Sequence, residues 1–388
     1  MRSRFLSEKE ERHGVYMSSS FEKALWRLRL LIKIPKNILR IHSVISKPSY
    51  YPEMPRKSKT EMWWDNFKWI IKNKELSPFY TSYGLDVKGF RNLDDFLPTP
   101  AFWEAIREGN RKNIRSGYGS YNSLIMLRDK YVFSSYISGT IGREYVPETI
   151  ALIDAGQVFR PSCNKWESFE SFCNTDERVV FKIIDGTFGD NVFLAEIKNR
   201  QVIVHGQTYT PERFISTLSE ERYIVQQLIV QHPALQAFGT GCVNTVRTIT
   251  VRGKSGKISV FAAFLRVGTD STSFIDNRAK GGLAIGVDLE TGKLMKYGFP
   301  HARYGTKYEV HPLSGIAFDG YQLPYWDELV ELACSAHRQF YHLQSIGWDI
   351  AITANGPIFL EGNDTWEIGG PQDTYGGLKE RWDRLRNQ

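Results

Sequence analysis

The chain has 388 residues, 41% of them hydrophobic and 24% charged, with a formal net charge of +7. That length allows two or three domains with a substantial core, and the composition is that of an ordinary globular protein. The charged N-terminus lacks the apolar core of a secretory leader, and no run approaches the roughly 18 apolar residues of a membrane span, so a cytoplasmic protein is expected. Cys163, Cys173, Cys242 and Cys334 show neither CxxC pairing nor zinc-ligand spacing, which predicts free thiols in a reducing compartment. The absence of HExxH, GxSxG and GxxxxGK[ST] patterns removes most support for hydrolase and P-loop readings.

In chain order, residues 1–55 form a basic amphipathic helical region. Leu25, Leu28, Leu31, Ile32, Ile34, Ile38 and Leu39 interleave with Lys23, Arg27, Arg29, Lys33, Lys36 and Arg40, and Pro35 is expected to break the helix. Such a region suits peripheral contact with the inner face of a membrane or with an anionic polymer. It equally suits a helix pair packed on the main body; no nucleic acid is expected. A second region, 56–120, opens on Trp63, Trp64, Phe67, Trp69 and Ile70 at helical spacing, read as core, and continues to a helix begun by Thr99-Pro100.

Residues 121–230 are expected to form one α+β subdomain. It starts with a helix over Tyr121 to Tyr136 and a second at Trp166 to Cys173, and continues in short strands from Val179, through Asn191 to Ile197 and Gln201 to Val204, to the apolar run Tyr223 to Val230. Residues 231–388 form a second. Val246 to Val251 pairs with Ile258 to Val267, Leu283 to Leu289 with Lys293 to Tyr297, and an amphipathic helix from Trp326 to Leu343 feeds a final hairpin. Strand clusters separated by a few helices define an α+β fold with antiparallel sheets covered by helices. Thr269 to Lys280 is read as a mobile loop.

The final hairpin carries the clearest chemistry. Gly347-Trp348-Asp349-Ile350 and Leu360-Glu361-Gly362-Asn363 flank an Asn355-Gly356 turn. Glu361 and Asn363 share a face, and the hairpin can bring Asp349 opposite them, giving three oxygen donors suited to Mg²⁺. Solvated strand-end carboxylates are the rival reading. Upstream, Lys182 sits at the root of the turn Asp185-Gly186 to Gly189, a phosphate cradle or an ordinary hairpin turn. Gln226, Gln227, Leu228 and Ile229 could wall a pocket for a flat base or form a buried edge strand. Arg247, on a strand with Thr245 and Ile249, needs an anionic partner, either substrate or a structural carboxylate. Asn277, before the glycine pair Gly281-Gly282, could reach a phosphate or simply belong to a flexible loop.

Taken in order, these motifs resemble the ATP-grasp superfamily. Met126-Leu127-Arg128-Asp129-Lys130, Val180 to Gly186, Thr245 to Thr250, Gly347 to Thr353 and Leu360 to Asn363 look like the sugar-transfer-associated ATP-grasp family, related to α-L-glutamate ligase-like proteins. The resemblance spans roughly residues 115–370. It implies two α+β subdomains clasping ATP, with Lys130 and Lys182 on phosphates, the Asp185, Gly186 and Gly189 turn as a lid, and Gln226 to Ile229 on adenine. It also implies Mg²⁺ on Asp349, Glu361 and Asn363, Arg247 at the transferred phosphate and Asn277 at the reacting region.

The activity implied is an ATP- and Mg²⁺-dependent carboxylate-amine ligase working through an acylphosphate. Its substrates would be a small or glycan-linked carboxylate from surface polysaccharide synthesis and an amine. A kinase of a sugar or lipid hydroxyl and a non-catalytic nucleotide-binding scaffold are the alternatives.

Overall fold

The computed structural model describes residues 31–111, 122–186, 192–218, 221–271, 281–301 and 306–388. Contacts divide the chain into two compact units, residues 1–88 and 89–388.

In the first unit, helical residues 31–39 run through Pro35 instead of breaking there. Proline removes one backbone hydrogen bond, and on an exposed helix face water can satisfy the freed carbonyl. The helix Lys59–Asn73 is fixed at its start by a capping box: Ser58 Oγ accepts from the Glu61 N–H at 3.2 Å, and Glu61 accepts from the Ser58 N–H at 2.7 Å. Its aromatic stripe is split. Met62, Trp69 and Ile70 are buried, while Trp63 stacks on Phe67 with centroids 5.2 Å apart and Trp64 remains 51% exposed. The stripe spans more of the helix circumference than one buried face can cover.

The second unit contains two antiparallel sheets. The first is built from β1 (Thr149–Asp154), β2 (Gln157–Arg160), β3 (Lys165–Ser168), β4 (Glu177–Ile183), β5 (Phe193–Lys198), β6 (Gln201–Val204), β7 (Gln207–Tyr209) and β8 (Tyr223–Gln227), in the order β3-β2-β1-β8-β4-β5-β6-β7. Val179, Phe181, Val225 and Phe214 pack one side of it. The second comprises β9 (Thr245–Arg252), β10 (Ile258–Val267), β11 (Leu283–Val287), β12 (Leu294–Pro300), β13 (Ser345–Thr353) and β14 (Gly356–Asn363), in the order β12-β11-β10-β9-β13-β14. One face of it packs Trp348, Ile350 and Val246 against the helix Trp326–Gln339. The other packs Ile249, Val251 and Phe261 against Phe102, Trp366 and Trp382, from the helices Thr99–Asn110 and Lys379–Asn387 and the loop after β14.

Several local expectations are corrected. The single helix at 121–136 is two, Ile125–Arg128 and Lys130–Thr140, because Asp129 caps the second by accepting from the Tyr131 and Val132 N–H groups, each at 2.9 Å. Leu124, Leu127, Phe133 and Ile137 from this segment enter the core of the second sheet, although the chain order groups them with the first. Trp166 lies in strand β3, and helix covers only Phe169–Phe172, since Ser168 caps it. The run from Tyr223 stops being strand at Gln227; the chain then crosses over, and Gln231 bridges to Thr353 of the second sheet. Most of the loop 269–280 lies outside the described residues.

Trp348 is fully buried and donates its indole N–H to Thr250 Oγ1 at 2.8 Å, and that hydroxyl also meets His337 Nδ1 at 2.7 Å. Trp348→Ala removes a large core side chain and one end of this chain of bonds. The expected loss is about 3–5 kcal/mol, read by chemical denaturation of the full chain.

Candidate active site

The site is organised by the β13–β14 hairpin and by one irregularity in it. Thr353 pairs with Gly356, so the loop is Ala354-Asn355, and Gly356, with φ 115°, opens β14 rather than forming the turn. That φ is in the region glycine alone adopts readily. Further along, Ile350 faces Phe359 but Asp349 faces Glu361, leaving Leu360 as an extra, bulged residue. Regular pairing would set Asp349 against Leu360 and turn Glu361 to the opposite face. The bulge therefore makes the two carboxylates neighbours.

On the other side of β13, Asp349 faces Arg247 of β9, giving a row Arg247, Asp349, Glu361 across three strands. Arg247 donates through Nε and Nη2 to the two Asp349 oxygens, the second bond at 2.8 Å, and Arg266 Nη1 of β10 donates to Asp349 Oδ2 at 2.8 Å. Burial alone would raise the Asp349 carboxyl, but the two guanidiniums outweigh it and hold it well below the usual carboxylate range. Glu361 is displaced the other way, by burial and then by the adjacent Asp349 charge. Asn363 Nδ2 donates to Gly347 O and to Glu361 Oε1, each at 3.3 Å, which leaves its carbonyl oxygen as the available acceptor.

Two lysines complete the charge cluster. Lys182, on the β4 face away from that sheet's core, donates to Gln226 Oε1 at 2.9 Å. Desolvation lowers its amine to about 8, with Glu361 opposing that shift and Lys130 adding to it. Lys130 Nζ donates to Gly186 O at 2.6 Å, and its backbone N–H donates to Ile184 O at 3.0 Å, so the turn after β4 is tied to the start of its helix. Its amine is also lowered by desolvation, against the pull of Glu361, Asp185 and Asp129.

The fold thus gathers Lys130, Lys182, Gln226, Arg247, Asp349, Glu361 and Asn363. Asp185 and Gln227 are exposed, and Leu228 and Ile229 are part-buried along the crossover between the sheets. Gly189 and Asn277 lie outside the described residues. Arg247 has a structural carboxylate partner, so the rival reading of that arginine is realised here. Sequence reasoning missed Arg266; the signal was a lone arginine in the apolar strand Phe261 to Val267, on the face of Phe264, which itself faces Arg247. It also missed the bidentate pair Arg128–Asp364, with bonds of 2.9 and 2.8 Å, which joins residues two before Lys130 and one after Asn363.

The donor chemistry fits a hard divalent cation. Two adjacent carboxylates, one strained by the other's charge, and an amide oxygen are available, and beyond its arginine bonds Asp349 shares a hydrogen bond with Glu361. Among the described residues no group of three or more histidine, cysteine and acidic residues is gathered.

The family description "sugar-transfer associated ATP-grasp" matches residues 110–386. The chain belongs to that family, and its two α+β halves are the ATP-grasp fold. No curated protein matches it. Among solved structures, N5-carboxyaminoimidazole ribonucleotide synthetase from Thermotoga maritima shares 13% identity over 62% of this chain and 43% of that one, with a TM-score of 0.33. D-alanyl-alanine synthetase A from Vibrio cholerae O1 biovar eltor shares 12% over 68% and 61%, at 0.35. L-amino acid ligase from Bacillus licheniformis shares 11% over 72% and 50%, at 0.36. The chain spans less than half the length of the first of these.

The two carboxylates should respond oppositely to neutralisation. Asp349→Ala removes the carboxylate that Arg247 and Arg266 share and is expected to cost about 3–5 kcal/mol. Glu361→Gln relieves repulsion and should raise the melting temperature. Thermal melts of both variants without ligand check the pair.

Proposed function

We propose that this protein is an ATP- and Mg²⁺-dependent carboxylate-amine ligase that activates its carboxylate substrate as an acylphosphate. The observation that carries the reading is the row Arg247, Asp349, Glu361 at the end of one sheet, electrostatically coupled to Lys182 and Lys130 beside the other. Four cationic side chains surround two carboxylates, an excess of positive charge that suits a polyphosphate. Phosphoryl transfer needs positioning and charge neutralisation and no protein nucleophile.

In this reading Glu361 and Asn363, with Asp349, hold Mg²⁺, which screens charge on the nucleotide phosphates when bound. Lys182 and Lys130 contact phosphate oxygens, the turn at Asp185-Gly186 and on to Gly189 covers them, and Gln226 to Ile229 line the base. Arg247 and Arg266 orient Asp349 and present guanidinium edges toward the transferring group, and Asn277 serves the reacting region. The carboxylate substrate attacks the γ-phosphorus, ADP leaves, and an amine then displaces phosphate to form the amide. The family description supports a carboxylate on a sugar or glycoconjugate, such as a uronic acid, as in surface polysaccharide synthesis.

The deciding assay is ADP release across uronic acids crossed with amines, with and without Mg²⁺. Release confined to one carboxylate-amine combination and lowered at least a hundredfold in Lys182→Met and Glu361→Gln is expected. A phosphorylated product that accumulates without any amine would replace the ligase with a kinase, and no ATP binding by calorimetry would end both.

Nucleotide affinity should also depend on pH in a defined direction. The Lys182 amine, at about 8 in the free protein, must be charged to hold phosphate, so affinity falls by up to about tenfold per unit above that pH. Protonation of Glu361, whose carboxyl is pushed up, competes with the cation and weakens binding on the acid side. Calorimetric Kd values across pH should show both limbs, and Lys182→Met should lose the alkaline one.

A further inference from the structure

We infer that the N-terminal unit is a docking module for an anionic phospholipid surface. Residues 23–52 contain seven lysines and arginines and no acidic residue, which equals the formal charge of the entire chain, +7. The remainder of the protein is therefore electrically balanced, and the attraction to an anion is concentrated in one short stretch.

The same stretch exposes apolar side chains that a soluble helix would bury. Leu39 is 83% and Ile32 69% exposed, and Leu31 is also exposed, on a helical segment that carries exposed Lys33, Lys36 and Arg40. In the same unit, the helix Lys59–Asn73 exposes Trp64 and Ile71 beside Lys68 and Lys72. Large apolar groups interspersed with cations match a surface where lipid headgroups meet acyl chains, and among the described residues no helix is long and apolar enough to cross a membrane. Exposed tryptophan, with an apolar body and a polar N–H, is suited to that boundary. A purely polyanionic partner would use the lysines and arginines and leave Leu31, Ile32 and Leu39 in water. A bilayer satisfies both sets of side chains. The inference is independent of the reaction assigned to the second unit.

The test is flotation of the full chain with vesicles of phosphatidylcholine alone or with a third of phosphatidylglycerol, in low and high salt. The full chain should float with the anionic vesicles only, and high salt should weaken the recovery. Lys33→Gln, Lys36→Gln and Arg40→Gln together should reduce binding roughly a hundredfold. Leu39→Glu should reduce it at least about tenfold while leaving the thermal melt unchanged, since that side chain is exposed. Failure of the full chain to float with anionic vesicles overturns the inference. So does Leu39→Glu binding as tightly as the full chain, which would point to charge alone and a soluble polyanion. A dimer that Leu39→Glu abolishes, without vesicle binding, would assign the apolar face to a second copy and overturn it equally.

Discussion

The bulge at Leu360 is the constraint on which the site depends. It adds one residue to β14 and so inverts the facing of every side chain beyond it. Glu361 and Asn363 thereby share the face of Asp349, and Trp348 and Phe359 keep their places in the core behind. A like-charge pair placed side by side is unfavourable unless something neutralises it. On one side the neutralisation is built in, through Arg247 and Arg266 on Asp349. Among the described residues Glu361 has no arginine bond of its own and carries the strain of the pair, its carboxyl pushed up by burial and by the Asp349 charge.

The positive groups come from different parts of the fold, which matters for what they can do. Arg247 and Arg266 stand on neighbouring central strands, fixed by the same sheet as the carboxylates. Lys182 stands on the other sheet, and Lys130 begins a helix whose apolar side belongs to the second sheet while its amine binds the turn after β4 of the first. Lys130 is thus a bridge between the halves. The extended crossover Gln227 to Gln231 is another connection, and it carries most of the residues assigned to the base.

Much of this was legible from residue patterns. Short apolar runs between turn residues located β4, β6, β9 and β10, and the apolar spacing of Trp326 to Gln339 marked its helix. Aspartate and serine caps were harder to see. Asp129 ended one helix and began another within a continuous apolar pattern, and Ser168 did the same at the border of β3. Propensity averages over such positions, whereas one side-chain bond to a backbone N–H decides them. Asp349, Glu361, Asn363 and Lys182 were readable because hard oxygen donors and a lysine stand out in apolar strands. Arg266 was not singled out, since only the register of β10 against β9 and β13 shows that it reaches Asp349.

The sequence by itself determined the class of fold, the family and the residue types of the site, since those follow from periodicity and from motifs of neighbouring residues. Tertiary structure decided how they act. Register and one bulge set which carboxylate is neutralised by arginine and which is left strained, and burial pushes the Lys182 amine down and the Glu361 carboxyl up. Those quantities depend on distances between residues remote along the chain, from Lys130 to Asn363, and no local pattern encodes a distance across strands.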